Sequence, residues 1–467
     1  MTITTLPRGP EIEQDRDLEQ RVAELEALIE EARRRARRRR QRNGAAALLV
    51  AAAGVTAFIG FGGQGGGGAG TAALAHAPGS QSPAANAGSP PLGALPRNAG
   101  SAQAVAFDPR NPQIVYVLTV GGDASRGHVF KTTDGGSHWH ATATLGTGWV
   151  GDVQTLTADP RHPGALYAGT EVAVYKTVDG GRSWRPFNQG LFPPHGGQRV
   201  CYRPAGARPY CVKQPFGTPG TPHFNRGNGW VTAIAVDPAN ANIVYSGADA
   251  VRKSTDGGHS WKSVFQPYAA TQYRVAVGIS ALVIAPTRPE AIYAIANDYG
   301  GHTPHNSIYK STDAGKSWHA TGGASSVFTN PDTWGGALAV DPQHPSTVYA
   351  AIGRTLVRTT DDGASWQPIT QGLPKQVVTA LTVDTQRSGT VYAGLYPTYK
   401  GRVISATGGI YKTTNGGDTW TRAFSGITAG ALAVDPARPT TIYAAVHGRK
   451  ERVARSTDGG RTWRIAG

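Results

Sequence analysis

The octapeptide STDGGHSW, Ser254 to Trp261, gathers a hydroxyl, a carboxylate, two glycines, an imidazole and an indole, the contents of a small active site. Related stretches recur: TTDGGSHW ending at Trp139, TVDGGRSW at Trp184, STDAGKSW at Trp318, TTDDGASW at Trp366, TTNGGDTW at Trp420 and STDGGRTW at Trp463. An active site is needed once, whereas a unit repeated every ~40–50 residues is architecture. Chemistry must therefore come from acids outside the repeat. Most glycoside hydrolases need two carboxylates flanking the scissile bond. With the acids of the repeated turns set aside, the variable loops retain Asp123, Asp152, Glu171, Asp249, Asp298, Asp332 and Glu451. Asp152, in GWVGDVQ, and Asp332, in NPDTW, make the best pair, because each adjoins a tryptophan outside the repeats.

Those tryptophans are Trp149 and Trp334, and Trp230 is a third. Each stands just before an expected inner strand. Indoles there suit stacking on a sugar or gripping a peptide, and equally suit packing beneath the loops. Tyr299, Tyr396, Tyr399, Lys400, Arg402, Arg449 and Lys450 lend the same loops an aromatic and basic character. Cys201 and Cys211, the only cysteines, lie in the longest loop, Asn188 to Gly229. In an exported segment they point to a local disulfide, and their spacing does not suit a redox or zinc motif. His302 and His305 have no third ligand nearby in sequence, so no metal and no cofactor is expected.

A second signal frames each copy. AVAFDPRNPQIVYV (from Ala104), TLTADPRHPGALYA (Thr155), AIAVDPANANIVYS (Ala233), ALVIAPTRPEAIYA (Ala281), ALAVDPQHPSTVYA (Ala337), ALTVDTQRSGTVYA (Ala380) and ALAVDPARPTTIYA (Ala431) align. Each reads as an apolar strand, a turn set by Asp and Pro, and a second strand ending in an aromatic. A third strand such as IYKST follows, then the DGG turn and a fourth strand opening at tryptophan. Four antiparallel strands per repeat, seven times, predict an all-β, seven-bladed β-propeller over residues 101–467. With the strands of a blade lettered A to D, the A–B and C–D turns share one face. The variable B–C and D–A loops share the other, where binding on a rigid scaffold usually resides.

The pattern S/T-x-D-x-G-x-S/T-W resembles the Asp-box, or BNR, repeat of bacterial sialidases, xyloglucan-active glycoside hydrolases, sortilin-type receptors and photosystem II assembly-factor-like propellers. The resemblance covers about Ala102 to Gly467. It implies that Asp134, Asp179, Asp256, Asp313, Asp361, Asn415 and Asp458 serve structural turns. It is poorly specific for activity, because these families do different things. The xyloglucan-active enzymes use two Asp but employ two propellers. A sialidase fits less well, since no F/Y-R-I-P motif and no arginine triad is found.

Ahead of the propeller, residues 1–43 carry 11 Arg against nine acids, so thirteen of the formal +15 charges lie beyond them. Leu18, Val22, Leu25, Ile29 and Ala32 trace a short heptad seam, which fits a solvated charged helix or a weak dimer through residues 18–32. Arg33 to Arg42 then abuts the apolar run Ala45 to Phe61, giving a signal anchor over 44–62 with the N-terminus cytoplasmic. Cleavage near Ala77, at AHA, is the alternative and would leave a secreted protein. Residues 63–100 read as a flexible linker. The basic balance fits acidic partners or a merely solvated surface, and no nucleic-acid module is found. The reading that results is a membrane-anchored, exported, non-catalytic binding or assembly module for an extracytoplasmic protein or an acidic or carbohydrate polymer, probed against a glycoside hydrolase as the alternative.

Overall fold

The computed structural model describes residues 92–96, 99–120, 128–145, 153–170, 173–191, 230–267, 277–298, 306–323, 336–396, 408–447 and 452–466, with short strands at 50–52, 55–57, 198–202, 210–214, 398–400 and 403–406. Seven four-stranded antiparallel sheets form the blades of a β-propeller. Strands A, which line the axis, are Ser101–Phe107, Val153–Ala158, Ala233–Val236, Val277–Ala285, Ala337–Val340, Val378–Val383 and Thr428–Val434. Blade 3 continues through Val244–Gly247, Val251–Ser254 and Lys262–Phe265. The β-branched and aromatic residues of strands A to C pack against neighbouring blades, while each strand D is short and exposed at the rim. A tyrosine of every strand B (Tyr116, Tyr167, Tyr245, Tyr293, Tyr349, Tyr392 and Tyr443) is fully buried.

The Asp box is a turn tied by its own side chains. Ser254 Oγ donates to Asp256 Oδ1 at 2.7 Å and accepts from the buried Gly258 N–H at 2.8 Å. Ser260 donates its N–H to Asp256 Oδ1 and its hydroxyl to Oδ2. Gly257 and Gly258 stand at φ +69° and +97°, where a side chain is strained. The first bond recurs in the other six copies. His138 Nδ1 replaces the last hydroxyl, 2.6 Å from Asp134 Oδ2. In blade 6 the Asn415 amide donates to Thr419 Oγ1 where a carboxylate would accept. Ala314 and Asp362 hold the first glycine's place at φ 57° and 63°. Asp362 is secured there by a two-pronged ion pair with Arg288 of the preceding blade.

These bonds make the boxes acid-sensitive. The Ser183 hydroxyl beside Asp179 draws that carboxyl down to about 2. At Asp256 burial pushes upward, but the Ser260 and Ser254 hydrogen bonds outweigh it and the carboxyl again falls to about 2. An unfolded aspartate titrates at about 3.9. A folded pKa below the unfolded one gives stability that is complete above about pH 4 and is lost as pH falls toward 2. The melting temperature is therefore expected to fall below pH 4, and a melting temperature that rises on acidification below pH 4 would refute this account.

Consecutive blades are joined by a repeated clasp. The strand B tyrosine and a strand C cation of one blade both reach the first-glycine position of the next blade's box. Tyr167 and Lys176 donate to Gly257 O at 3.0 and 2.9 Å, and Tyr245 and Lys253 to Ala314 O at 2.7 and 2.8 Å. Tyr392 and Lys412 do the same to Gly459 O. Tyr443 and Arg455 of blade 7 bind Gly135 O of blade 1, so the ring closes by the clasp used between other blades. Every strand of blade 7 follows blade 6 in sequence, and among the described residues no strand is exchanged between first and last blades.

Within the segment 44–62, expected to be one transmembrane helix, Val50–Ala52 and Val55–Ala57 pair as an antiparallel hairpin. Val50, Val55 and Thr56 are β-branched and favour extended backbone. No helix among the described residues is long and apolar enough to cross a membrane. The expected helix at 18–32 lies outside the described residues. Residues 92–96, expected in the linker, are ordered against the propeller, with Leu92 and Leu95 packed on its core.

Candidate functional site

The loop face is built on the starts of strands A. Five of these strands carry a register shift at their entry, between Ala102 and Ala104, Val153 and Thr155, Ile279 and Ala281, Val378 and Ala380, and Ala429 and Ala431. The extra residue in four of them is polar and buried: Gln103, Gln154, Ser280 and Thr379. Thr379 Oγ1 donates to Gly394 O at 3.0 Å and to Ala429 O of the next blade at 2.6 Å. Thr232, at the matching place in blade 3, reaches Gly247 O and Ile279 O. A β-bulge thus turns a side chain sideways into the seam, and polar groups lock adjacent blades beneath the loops. Deeper along the axis the channel is lined mostly by aliphatic side chains. A cavity of about 320 Å³ is lined by Val105, Leu156, Ile234, Leu282, Leu338 and Ala433, among others.

Two of the singled-out aromatics are described there with their side chains. Trp230 is half-buried just before strand A of blade 3, where the following Val231 N–H donates to Thr170 O of blade 2. Tyr396, half-buried, leaves strand B of blade 6, its N–H bonded to Val377 O. Tyr399 and Lys400 lie on a small hairpin in the same B–C loop, with Tyr399 opposite Ile404 and Lys400 opposite Val403. Trp149, Trp334, Tyr299, Arg402, Arg449, Lys450, Asp123, Asp152, Glu171, Asp332, Glu451, His302 and His305 lie outside the described residues. Asp298 ends strand B of blade 4. Asp249 is committed to an ion pair with the buried Arg252, 2.7 Å away. Among the described residues no group of three His, Cys, Asp or Glu is placed to hold a metal.

Arg252 was not singled out from the sequence. The signal was available: it fills the strand C column held elsewhere by Phe130, Tyr175, Tyr309, Val357, Tyr411 and Ala454. The clasp cations were missed for the opposite reason. Lys131, Lys176, Lys253, Lys310, Arg358, Lys412 and Arg455 form a regular column, and a regular column of charge looks like solvated surface. Six of them donate to a neighbouring blade's backbone carbonyl. Part of the basic balance is therefore architectural.

The long D–A loop contains its own hairpin, Gln198–Tyr202 paired with Tyr210–Gln214, and Cys201 faces Cys211 directly in register. Directly opposed residues of an antiparallel pair have Cα atoms about 4.5–5.5 Å apart, within the span a disulfide bridges. A non-reduced digest is expected to yield the two cysteines in one cross-linked species, lighter by two hydrogens than the reduced pair. Two free thiols in protein exported to an oxidising compartment would contradict it.

No family model matches the chain. The curated proteins it resembles are xyloglucanases. A probable oligoxyloglucan-reducing end-specific xyloglucanase of Neosartorya fischeri is 27% identical over 237 residues, 45% of this chain and 26% of that protein. A xyloglucanase of a Paenibacillus species is 26% identical over 222 residues, 42% and 21% of the two chains. Xyloglucanase Xgh74A of Acetivibrio thermocellus is 23% identical over 247 residues, 51% and 26%. The chain thus spans about a quarter of the length of these relatives. Among solved structures, the GH74 xyloglucanase of Xanthomonas campestris is similar at 17% identity and a TM-score of 0.49, covering 80% of this chain and 61% of that one. YCF48 of Cyanidioschyzon merolae is similar at 13% identity and a TM-score of 0.48, covering 78% and 96%. The sequence relatives overturn the expectation of a non-catalytic binding or assembly module, because those found by sequence are glycosidases. That expectation rested on the lack of a clear catalytic motif together with the membrane tether and the basic face, and a glycosidase needs only two carboxylates.

Proposed function

We propose that this propeller is a glycoside hydrolase domain of the xyloglucanase kind, acting on extracellular glycans from its loop face. The observation that carries the reading is sequence similarity to several xyloglucanases over about half of the chain. Asp152 and Asp332 are the acids assigned to the reaction, one protonating the leaving oxygen and the other acting on the opposite side of the sugar ring. Trp149, Trp230 and Trp334 are assigned to stacking on the glucan, with Tyr299, Tyr396, Tyr399, Lys400, Arg402 and Arg449 around them. The structure supports the assignment by subtraction. Box aspartates are consumed in their turns, and the A–B turn aspartates accept backbone N–H groups, as Asp108 does from Arg110 and Asn111. Export, through an anchor at 44–62 or after cleavage near Ala77, belongs to the same reading, and the Cys201–Cys211 bond is its readout. The test is sugar release from xyloglucan, other plant and microbial glucans and sialylated glycans by the full-length protein. Release from xyloglucan is expected, and no release from any substrate would sink the proposal.

A further inference from the structure

The tail of strand D packs on the box of the next blade, and this contact repeats around the ring. Thr142 of blade 1 faces Gly181 of box 2, Thr321 of blade 4 faces Gly363 of box 5, and Ile369 of blade 5 faces Gly417 of box 6. The following residue completes the joint: Ala143 N–H donates to Gly181 O at 2.8 Å, and Gly322 N–H to Gly363 O at 3.0 Å. At box 1 the partner comes from elsewhere in the chain. Leu92 faces Gly136, and Gly93 N–H donates to Gly136 O at 2.7 Å. The match extends to sterics. A Cβ on Gly93 would stand 1.9 Å from Ser137 O, and one on Gly322 would stand 2.2 Å from Ala364 O, the same place in box 5. Leu92 and Leu95 pack on a core that runs through blades 5 to 7 and into blade 1, and includes Trp139, Phe107 and Tyr443. Ala99 is buried in it, and its N–H bonds Pro96 O to turn the chain into strand A of blade 1.

We infer that Leu92–Leu95 is a strap that closes the ring, set against blade 1 where a preceding blade's strand D tail lies at other seams. The segment before the propeller is then coupled mechanically to the seam between blades 7 and 1. A pull on that segment draws first on the strap, and only then on the Tyr443–Arg455 clasp. The ring would open at this seam before those between blades 1 and 2, 4 and 5, and 5 and 6, because each of those is held by the tail of a blade already folded into its own sheet.

The experiment is hydrogen exchange on the full-length protein carrying Gly93→Val, whose side chain cannot fit against Ser137 O. Gly322→Val serves as the matched change at the seam between blades 4 and 5. Exchange in the strands of blades 1 and 7 is expected to rise about tenfold in Gly93→Val, with blades 3 to 5 unchanged. Gly322→Val is expected to move blades 4 and 5 alone. Should Gly93→Val not fold, the milder Leu92→Ala, Leu95→Ala pair is read in the same way. Wild-type exchange in blades 1 and 7, or an equal rise in all seven blades, would overturn the inference.

Discussion

The double substitution Asp152→Asn, Asp332→Asn is expected to abolish sugar release, lowering kcat/KM by about a thousandfold or more. A carboxamide keeps the shape of the side chain but can neither carry the proton nor hold the charge that the two roles demand. Each single variant is expected to lose at least about a hundredfold, since neither acid can take over the other's role. Their melting temperatures are expected to stay within error of wild type, as for residues that serve chemistry rather than packing. The pair is the best remaining rather than the best displayed. Asp249 is held by Arg252, and the box and turn aspartates are bonded to their own backbone. Release that survives in the double variant would remove both residues from the mechanism and send the search to Asp123, Glu171, Asp298 and Glu451.

Ser254→Ala is expected to destabilise the propeller more than Asp256→Ala, although the aspartate gives the motif its name. Asp256 is exposed, so water replaces much of what it offers Ser260, and its loss costs about 1 kcal/mol or less. Ser254 is buried and supplies the acceptor for the buried Gly258 N–H. Removing that oxygen leaves a donor that water cannot reach, at about 1–3 kcal/mol. Urea denaturation of both variants measures the order, and an aspartate loss larger than the serine loss would reverse the account. The same logic explains Asn415, which keeps an oxygen for Thr413 and Thr419 N–H and so preserves the turn without a charge.

The sequence by itself determined the blade. Seven copies of an apolar strand, a short turn (Asp-Pro in five of them), a tyrosine and an Asp box specify four antiparallel strands each, because every element in that series is fixed by local chemistry. It also placed Cys201 and Cys211 in one loop, although only pairing of 198–202 with 210–214 set them opposite each other. What tertiary structure decided was everything between blades. The clasp from Tyr443 and Arg455 to Gly135 joins residues at opposite ends of the propeller, and no periodicity within a blade foretells it. Leu92 and Gly93 sat in a stretch whose glycines and prolines resemble linker, and their role emerged only when box 1 lay against them. Arg252 departed from its column in the sequence, yet its partner Asp249 became evident only in the folded blade. Local turns depend on neighbours in sequence, whereas seams and sites depend on which surfaces a closed ring brings together, and that is settled by packing across the whole chain.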